Sequence, residues 1–276
     1  MTTARIDARF AQLKTEGRAG FVPYVMAGDP SWDQALAILR GLPAAGADLI
    51  ELGLAFSDPM AEGPTIQKAA LRGLDAGMTM ARTLDLVRAF REGDDQTPMI
   101  LMGYLNPVES YGYDAFARDA AEAGVDGLIM VDCPPEEAAP LVAALDAVDV
   151  SLIRLATPTS DDARLQVIAR GTSGFIYYVS VAGVTGVKEA QADAVAPAVA
   201  RVRKAAGLPV AVGFGVRTPE RAAEIARVSD AVVAGSVFVD EVAQALADGA
   251  DPVERLLSKV RTLADAVRGA RTPETV

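Results

Sequence analysis

Short apolar runs recur along the chain at regular intervals, and polar or glycine-containing segments separate them. Most of the runs are near-continuously apolar, which is the pattern of parallel strands that are covered on both faces. Eight such strands are predicted: Phe21–Met26, Asp48–Gly53, Pro98–Gly103, Asp126–Val131, Val150–Leu155, Ser173–Val179, Pro209–Gly213 and Asp230–Gly235.

Alanine-rich amphipathic segments lie between these runs, and their apolar residues recur at helical spacing. Seven helices are predicted between strands: Trp32–Ala45, Met80–Glu92, Tyr113–Ala123, Glu136–Leu145, Asp161–Arg170, Val195–Ala206 and Pro219–Val228. Two more, Ser236–Ala247 and Pro252–Arg268, follow the last strand, and a leading helix at Arg5–Glu16 precedes the first.

Eight strand–helix units predict a single-domain (β/α)8 TIM barrel over residues 1–276, with an extra N-terminal helix. A closed barrel leaves no sheet edge exposed. A doubly wound open sheet is the alternative. It usually has about five to seven strands, and no GxGxxG follows the first strand here.

Two connections are longer than a simple crossover needs. Leu54–Thr97, after strand 2, is predicted to hold one helix behind the lead-in FSDPMAEGPTIQ, and Ser180–Ala194 follows strand 6. Both belong to the C-terminal face of a barrel, where active sites lie, so they are expected to be extended loops that cover a site. The alternative is that both connections are ordinary surface insertions. At the C terminus, residues 270–276 are expected to be a frayed tail.

Composition restricts the chemistry. The 276 residues carry a net charge of −11, which argues against nucleic-acid and anionic-membrane binding. There is no histidine, so Ser-His and Cys-His dyads and histidine-bound zinc are excluded, and no metal site is predicted. No secretory segment is expected at the polar N terminus, and Cys133 is the only cysteine, so we expect a reducing, cytoplasmic location.

Lysine chemistry is also disfavoured. A Schiff-base aldolase needs a lysine that projects into the barrel. The chain has five lysines, and none falls within a predicted strand: Lys14, Lys68, Lys188, Lys204 and Lys259. Acid–base work is therefore expected from carboxylates.

Glu51 is the first candidate, because it lies inside the apolar run of strand 2. Partial desolvation at a barrel mouth raises a carboxyl pKa and suits the group to proton transfer near neutral pH. A buried ion pair, or a side chain facing a helix, is the alternative. Glu62 and Asp58 follow in the loop after the same strand and are candidate second acids; solvated loop positions are their alternative.

Glycine motifs end the last two strands: Gly213-Phe214-Gly215 after strand 7, and Gly235-Ser236 after strand 8. In barrels, these two loops and a helix N terminus often bind phosphate through backbone amides. Gly186, after strand 6, is expected to close over the same group.

Tyrosines gather at strand ends. Tyr24, Tyr104, Tyr177 and Tyr178 occupy such positions in a chain with six tyrosines. They are candidates for lining the pocket of a flat, partly apolar substrate, with core packing as the alternative.

These motifs together resemble the tryptophan synthase alpha chain. The resemblance rests on the segments FVPYVMAGDP (21–30), IELGLAFSDPMAEGPTIQ (50–67), AGVTG (182–186), VGFGV (212–216) and AGS (234–236), in the same order as in the family. It extends from about Ile6 to Arg268. It implies reversible retro-aldol cleavage of indole-3-glycerol phosphate to indole and glyceraldehyde 3-phosphate, with no cofactor in this chain.

The resemblance also implies roles for residues. Glu51 matches the catalytic glutamate that protonates indole C3 and helps move the proton of the glycerol hydroxyl; Glu62 matches a second catalytic acid that faces the indole N–H. The matches for substrate binding are Tyr24, Tyr104 and Tyr177 beside the indole and substrate, and Gly186, Gly213, Phe214, Gly215, Gly235 and Ser236 around the phosphate.

Three positions depart from the family pattern. Glu62 stands where the family has aspartate, Ala55 where proline is usual, and Val181 where some relatives have arginine. A carboxylate displaced by about 1 Å can lower a rate on the order of 10²-fold, so lower activity is expected. Without proline, the loop is expected to be looser before closure.

The resemblance further implies a partner, a beta chain that uses pyridoxal phosphate and receives indole through a tunnel, in an alpha2beta2 heterotetramer. The loops after strands 2 and 3, with Asp58, Pro59 and Asn106, are expected to dock it. Three alternatives are a stand-alone indole-releasing lyase, a weakly active or non-catalytic barrel that activates the beta chain, and another phosphate-binding barrel such as an isomerase.

Overall fold

The computed structural model describes residues 3–180, 192–213 and 215–271, and within them a closed parallel barrel in the order β1 to β8, with β8 pairing β1. The strands are β1 Gly20–Met26, β2 Ile50–Gly53, β3 Met99–Gly103, β4 Gly127–Met130, β5 Ser151–Ala156, β6 Ile176–Val179, β7 Val210–Gly213 and β8 Ala231–Ala234. The (β/α)8 TIM-barrel prediction is confirmed, and the doubly wound alternative is excluded.

Helices form the layer outside the barrel. They are α1 Thr3–Thr15, α2 Trp32–Gly41, α3 Pro64–Asp75, α4 Met80–Arg91, α5 Leu105–Tyr111, α6 Tyr113–Ala123, α7 Ala139–Asp146, α8 Asp162–Ala169, α9 Ala192–Ala206, α10 Pro219–Ala226, α11 Ser236–Asp248 and α12 Pro252–Arg268. No helix in the described parts of the chain is long and apolar enough to span a membrane.

Two helices were not predicted. The connection after β2 contains α3 as well as α4, so the lead-in expected to be loop is helical from Pro64 onward, and its irregular part is residues 54–63. Pro64 is the first residue of α3, where its missing N–H costs nothing. The second, α5, is a short helix directly after β3, and its seven residues are too few to show a clear period.

The apolar side chains form two layers. The residues that point into the barrel pack with the leading helix α1, which closes the N-terminal end: Phe10 of α1 lies 5.6 Å, centroid to centroid, from Phe175. The outward-facing strand residues pack under the surrounding helices in a second, larger cluster. Because α1 fills the N-terminal end, the described residues leave space for a substrate at the C-terminal end.

Aspartates at the starts of three strands hold the N-terminal end together. Asp48, Asp126 and Asp230 each accept a hydrogen bond from the first residues of a neighbouring strand, at 2.8–2.9 Å. Asp126 also pairs with Arg5 of α1 and Arg91 of α4. This end of the barrel is thus fixed by ion pairs, which leaves the opposite end for chemistry.

Three of the sequence expectations fall on undescribed residues. The loop after strand 6, with Val181 and Gly186, lies outside the described residues except at its ends, and so does Phe214. Of the tail at 270–276, residues 272–276 lie outside them.

Candidate active site

A pocket of about 550 Å³, partly open to solvent, lies at the C-terminal end of the barrel. Strands β1, β2, β3, β6 and β8 contribute to its wall, together with the segments that follow β2 and β7. The lining residues are Tyr24, Glu51, Glu62, Ile66, Met102, Tyr177, Gly215, Val216, Val233, Ala234, Gly235 and Ser236. Most of the wall is apolar, with a few polar groups that converge on one space, as is typical of small-molecule sites.

Strand parity places Glu51 inside the barrel. Leu49 belongs to the inner apolar cluster, and Glu51 lies two residues further along, so its side chain also points inward. It is paired in register with Tyr24 of β1, and it is 2% exposed. Burial, and then the nearby charge of Glu62, raise the pKa of Glu51 to about 8. The outward orientation is therefore excluded, and no described basic residue forms an ion pair with Glu51.

Glu62 reaches the same pocket from the segment between β2 and α3. Its side chain is half-buried, and burial raises the pKa of its carboxyl. Its backbone carbonyl accepts a 2.8 Å hydrogen bond from the side-chain amide of Gln67, in the first turns of α3. Asp58, the other candidate acid of this segment, is exposed, and its carboxylate accepts a hydrogen bond from the hydroxyl of the adjacent Ser57. The pocket therefore holds two carboxyl groups of different solvation, a usual basis for dividing acid and base roles.

Tyr24 on β1 and Tyr177 on β6 line the pocket together with Glu51, and each fills the space above a glycine on the next strand. A Cβ atom at Gly53 would lie 2.1 Å from the Tyr24 hydroxyl, and one at Gly213 would lie 2.1 Å from the Tyr177 hydroxyl. Burial and the charges of Glu62 and Glu51 raise the pKa values of both hydroxyls well above the ordinary value, so both stay protonated. Both tyrosines line the pocket, and the missing side chains of Gly53 and Gly213 leave room for their rings.

Tyr104 does not line the pocket. It directly follows β3, is buried, and its hydroxyl accepts a 3.0 Å hydrogen bond from the backbone N–H of Ala61. Phe56 packs against its ring, with the centroids 5.8 Å apart. Burial and the charge of Glu62 raise the pKa of Tyr104 to about 12. Tyr104 thus supports the segment that carries Glu62.

The glycine motifs after β7 and β8 meet at the other side of the pocket. Gly215 has φ +76°, which side chains rarely allow, and Gly235 precedes the first turn of α11. Gly235 is the N-cap residue of α11 and has no side chain to cap it, and both Gly235 and Ser236 line the pocket. Backbone amides at a helix N terminus favour an anion. Tyr178, the fourth tyrosine of the strand ends, belongs instead to the outer core.

Several residues of the site were not predicted. Met102 and Val233 share strand parity with inner-core residues, so their inward orientation could have been inferred. Ile66 enters the wall because Pro64–Asp75 is helical, which the sequence reading missed. Arg217, two residues after Gly215, donates a 3.0 Å hydrogen bond to the Ser236 hydroxyl, and nothing in its local sequence indicates that contact.

The fold and the pocket define a class: a (β/α)8-barrel protein whose pocket is lined by two carboxyl groups and by the glycine-led N terminus of α11. The family model of the tryptophan synthase alpha chain matches residues 10–268. The tryptophan synthase alpha chain of Phenylobacterium zucineum is 72% identical over 271 residues, 98% of each chain.

Solved structures agree. A crystal structure of tryptophan synthase subunit alpha from Legionella pneumophila superimposes with a TM-score of 0.89 at 38% identity, covering 95% of this chain and 98% of that one. A structure of Mycobacterium tuberculosis tryptophan synthase superimposes with a TM-score of 0.85 at 37% sequence identity, covering 96% of this chain and 98% of that one.

The chain belongs to the tryptophan synthase alpha chain family. The alpha reaction of this family is the cleavage of indole-3-glycerol phosphate, so the chain is a carbon–carbon lyase of tryptophan biosynthesis. Alpha chains of the family pair with a beta chain.

Proposed function

We propose that Glu51 is the proton donor and acceptor of the cleavage of indole-3-glycerol phosphate in this chain. The carrying observation is its burial inside the barrel, which raises its pKa to about 8 and keeps most of it protonated at neutral pH. Protonated Glu51 gives its proton to indole C3. The bond between C3 and the glycerol carbon then breaks as the glycerol hydroxyl loses its proton, which returns to Glu51. The products are indole and glyceraldehyde 3-phosphate.

Glu62 is proposed as the partner of the indole N–H. Protonation at C3 places positive charge on the ring nitrogen, and a nearby carboxylate stabilises that charge. Both carboxyl groups line one pocket, and the charge of Glu62 affects the pKa of Glu51, which supports their acting on one substrate.

The substrate is proposed to lie with its indole between the tyrosines and its phosphate at the glycine motifs. Tyr24, Tyr177, Ile66 and Met102 supply apolar wall on the carboxyl side of the pocket. Gly215, Gly235 and Ser236 supply amides and a hydroxyl on the other side. Gly186 and Phe214 lie outside the described residues and are proposed for the phosphate site from the sequence alone. Gly213 is proposed to contribute indirectly, by leaving room for the ring of Tyr177. No cofactor is proposed.

The partner is proposed to be a pyridoxal-phosphate-dependent beta chain, in an alpha2beta2 assembly within the cytoplasm. The segment after β2 and helix α5 after β3 lie at the same end of the barrel as the pocket, and they carry Asp58, Pro59 and Asn106. A beta chain docked there would receive indole directly from the pocket.

Indole release from indole-3-glycerol phosphate tests the proposal, with wild type compared with Glu51→Gln, each with and without a cognate beta chain. Glutamine keeps the shape of the side chain but has no proton to donate from a carboxyl. We expect release by wild type to rise with the beta chain and to fall at least about 10³-fold in Glu51→Gln.

Three other outcomes have defined meanings. Undiminished release in Glu51→Gln would remove Glu51 from the chemistry. Release by wild type without any response to the beta chain would indicate a stand-alone lyase. No release from wild type with the partner present would indicate a barrel that only activates the beta chain.

A further inference from the structure

The described wall of the pocket carries no positively charged side chain. Its described lining residues include two carboxyl groups and no basic side chain, although the proposed substrate carries a phosphate dianion. The chain as a whole has net charge −11, so its general field does not attract that group. A cation at the phosphate end would offset both effects.

Arg217 is placed to be that cation. Nη1 of Arg217 donates a 3.0 Å hydrogen bond to the hydroxyl of Ser236, which lines the pocket. Among the described residues, no other basic side chain has a hydrogen bond to a lining residue. Arg217 lies two residues beyond Gly215. Its position is set by the next residue, Thr218, whose side chain caps α10 by accepting from the N–H of Arg221. The turn that holds Arg217 is thus anchored on its C-terminal side by the start of α10.

Asp240 orients the guanidinium. It lies four residues after Ser236 on α11, so the two side chains share one face of that helix. Nη2 of Arg217 donates to one carboxylate oxygen of Asp240, and the other oxygen accepts a 3.0 Å bond from the Thr65 hydroxyl of α3. The carboxylate is thereby held from two sides, and its charge is balanced by the arginine.

The guanidinium retains capacity for a ligand. Arginine has five N–H donors, and the bonds to Ser236 and Asp240 use two of them. The side chain is about half exposed, so it can adjust toward an arriving anion. Its planar, permanently charged donors suit phosphate oxygens.

We propose that Arg217 binds the phosphate group of the substrate directly, beside the backbone amides of the glycine motifs, and that Asp240 positions it there. This inference rests on the proposed function for the identity of the ligand. Arg217 then supplies charged N–H donors beside the backbone amides, and it serves binding more than the chemical step.

Binding of glycerol 3-phosphate to the full chain, measured by titration calorimetry, is the direct test. Arg217→Gln is compared with wild type and with Arg217→Lys. Arg255→Gln is the matched control, because Arg255 also pairs with two carboxylates, Glu241 and Asp248, but does not contact this pocket. Indole serves as a phosphate-free ligand.

We expect Arg217→Gln to weaken glycerol 3-phosphate binding about tenfold, Arg217→Lys to weaken it less, and Arg255→Gln to leave it within about twofold. Indole binding should be the same in all four proteins. In cleavage assays, the Arg217→Gln loss should fall mainly in KM.

Unchanged binding in Arg217→Gln would overturn the proposal, and so would an equal loss in Arg255→Gln, which would point to overall charge alone. An equal loss of indole binding would indicate damage to the pocket and would also overturn it. The binding arm does not need catalysis. A wild type that binds the phosphate through Arg217 but releases no indole would sink the proposed function and leave this inference standing.

Discussion

Glu51 illustrates how position alone changes the chemistry of a side chain. It shares a strand with apolar residues, and it differs from a surface glutamate mainly in having lost its water and secondarily in lying near the charge of Glu62. That loss disfavours the ionised form, so a group with an ordinary pKa of 4.5 has one of about 8 in the folded chain. The acid form needed to protonate a carbon is therefore available at neutral pH.

The activity should follow the protonation of Glu51. The acid form predominates below about pH 8, so we expect kcat/KM for cleavage to decline above that pH. Steady-state rates over a pH series measure this decline. Constant kcat/KM well above pH 8 would contradict the assignment of Glu51 as the proton donor.

The raised pKa of Glu51 should also affect how the free energy of unfolding depends on pH. Between pH 4.5 and about 8 the folded state binds the Glu51 proton more tightly than the unfolded state, so this group's contribution to the free energy of unfolding falls as pH rises through that window. Urea unfolding of wild type and Glu51→Gln over this range tests it. The stability of the glutamine variant relative to wild type should rise with pH, and parallel curves would argue against the shift.

Glu62 departs from the family pattern by one methylene. Because its side chain reaches the pocket from a loop, the longer chain displaces its carboxyl group from where an aspartate would hold it. We expect Glu62→Asp to leave kcat similar or raise it, by up to about tenfold, with Glu62→Ala as the inactive control. A large fall in Glu62→Asp would remove the family-based role of this residue.

At the level of elements, the segment 54–63 is held from the side of β3. Tyr104 supplies a hydroxyl to the Ala61 amide and a ring to Phe56, so one residue supports the segment that delivers Glu62. Ala55, where the family has proline, packs against the core and faces Gly73 of α3. Packing of this kind substitutes for part of the rigidity that a proline would supply.

Removing the Tyr104 hydroxyl should loosen this segment. A neutral hydrogen bond of this kind contributes about 1 kcal/mol, so we expect Tyr104→Phe to lower kcat about fivefold, with a smaller change in KM. Tyr111→Phe is the matched control, because its hydroxyl bonds Asp119 away from the pocket. Equal kcat values in the two variants would show that the Ala61 bond does not position Glu62.

At the scale of the whole molecule, the two ends of the barrel have different tasks. The N-terminal end is filled by α1 and fixed by Asp126, which is fully buried and joins Arg5, Arg91 and the Met99 amide. The C-terminal end keeps a pocket with costly buried acids.

Truncating Asp126 should therefore destabilise the protein without altering the pocket. We expect Asp126→Ala to lower the free energy of unfolding by about 3 kcal/mol, because it leaves two partly buried arginines without their partner. Asp85→Ala, which breaks an exposed pair with Arg88, should cost less than about 1 kcal/mol. Urea unfolding midpoints compare them, and equal midpoints would contradict the role given to Asp126.

Much of the architecture was open to prediction because its signals are local. All eight predicted strands overlap observed ones, since a buried parallel strand needs a continuous apolar run. Glu51 stood out for the same reason, as a charge inside such a run. Helices α3 and α5 were missed because a proline-led start and a seven-residue length leave little periodic signal.

The sequence by itself determined the eight apolar runs, their alternation with helices, the place of Glu51 inside one run and the glycine motifs, because each depends on spacing between near neighbours. Only the tertiary structure decided which distant residues meet. Thr65 and Asp240 are 175 positions apart and share a hydrogen bond, and Arg217 contacts Ser236 across a strand and a helix. Such contacts depend on how helices pack around the barrel, and that packing follows from the whole chain rather than from any one segment.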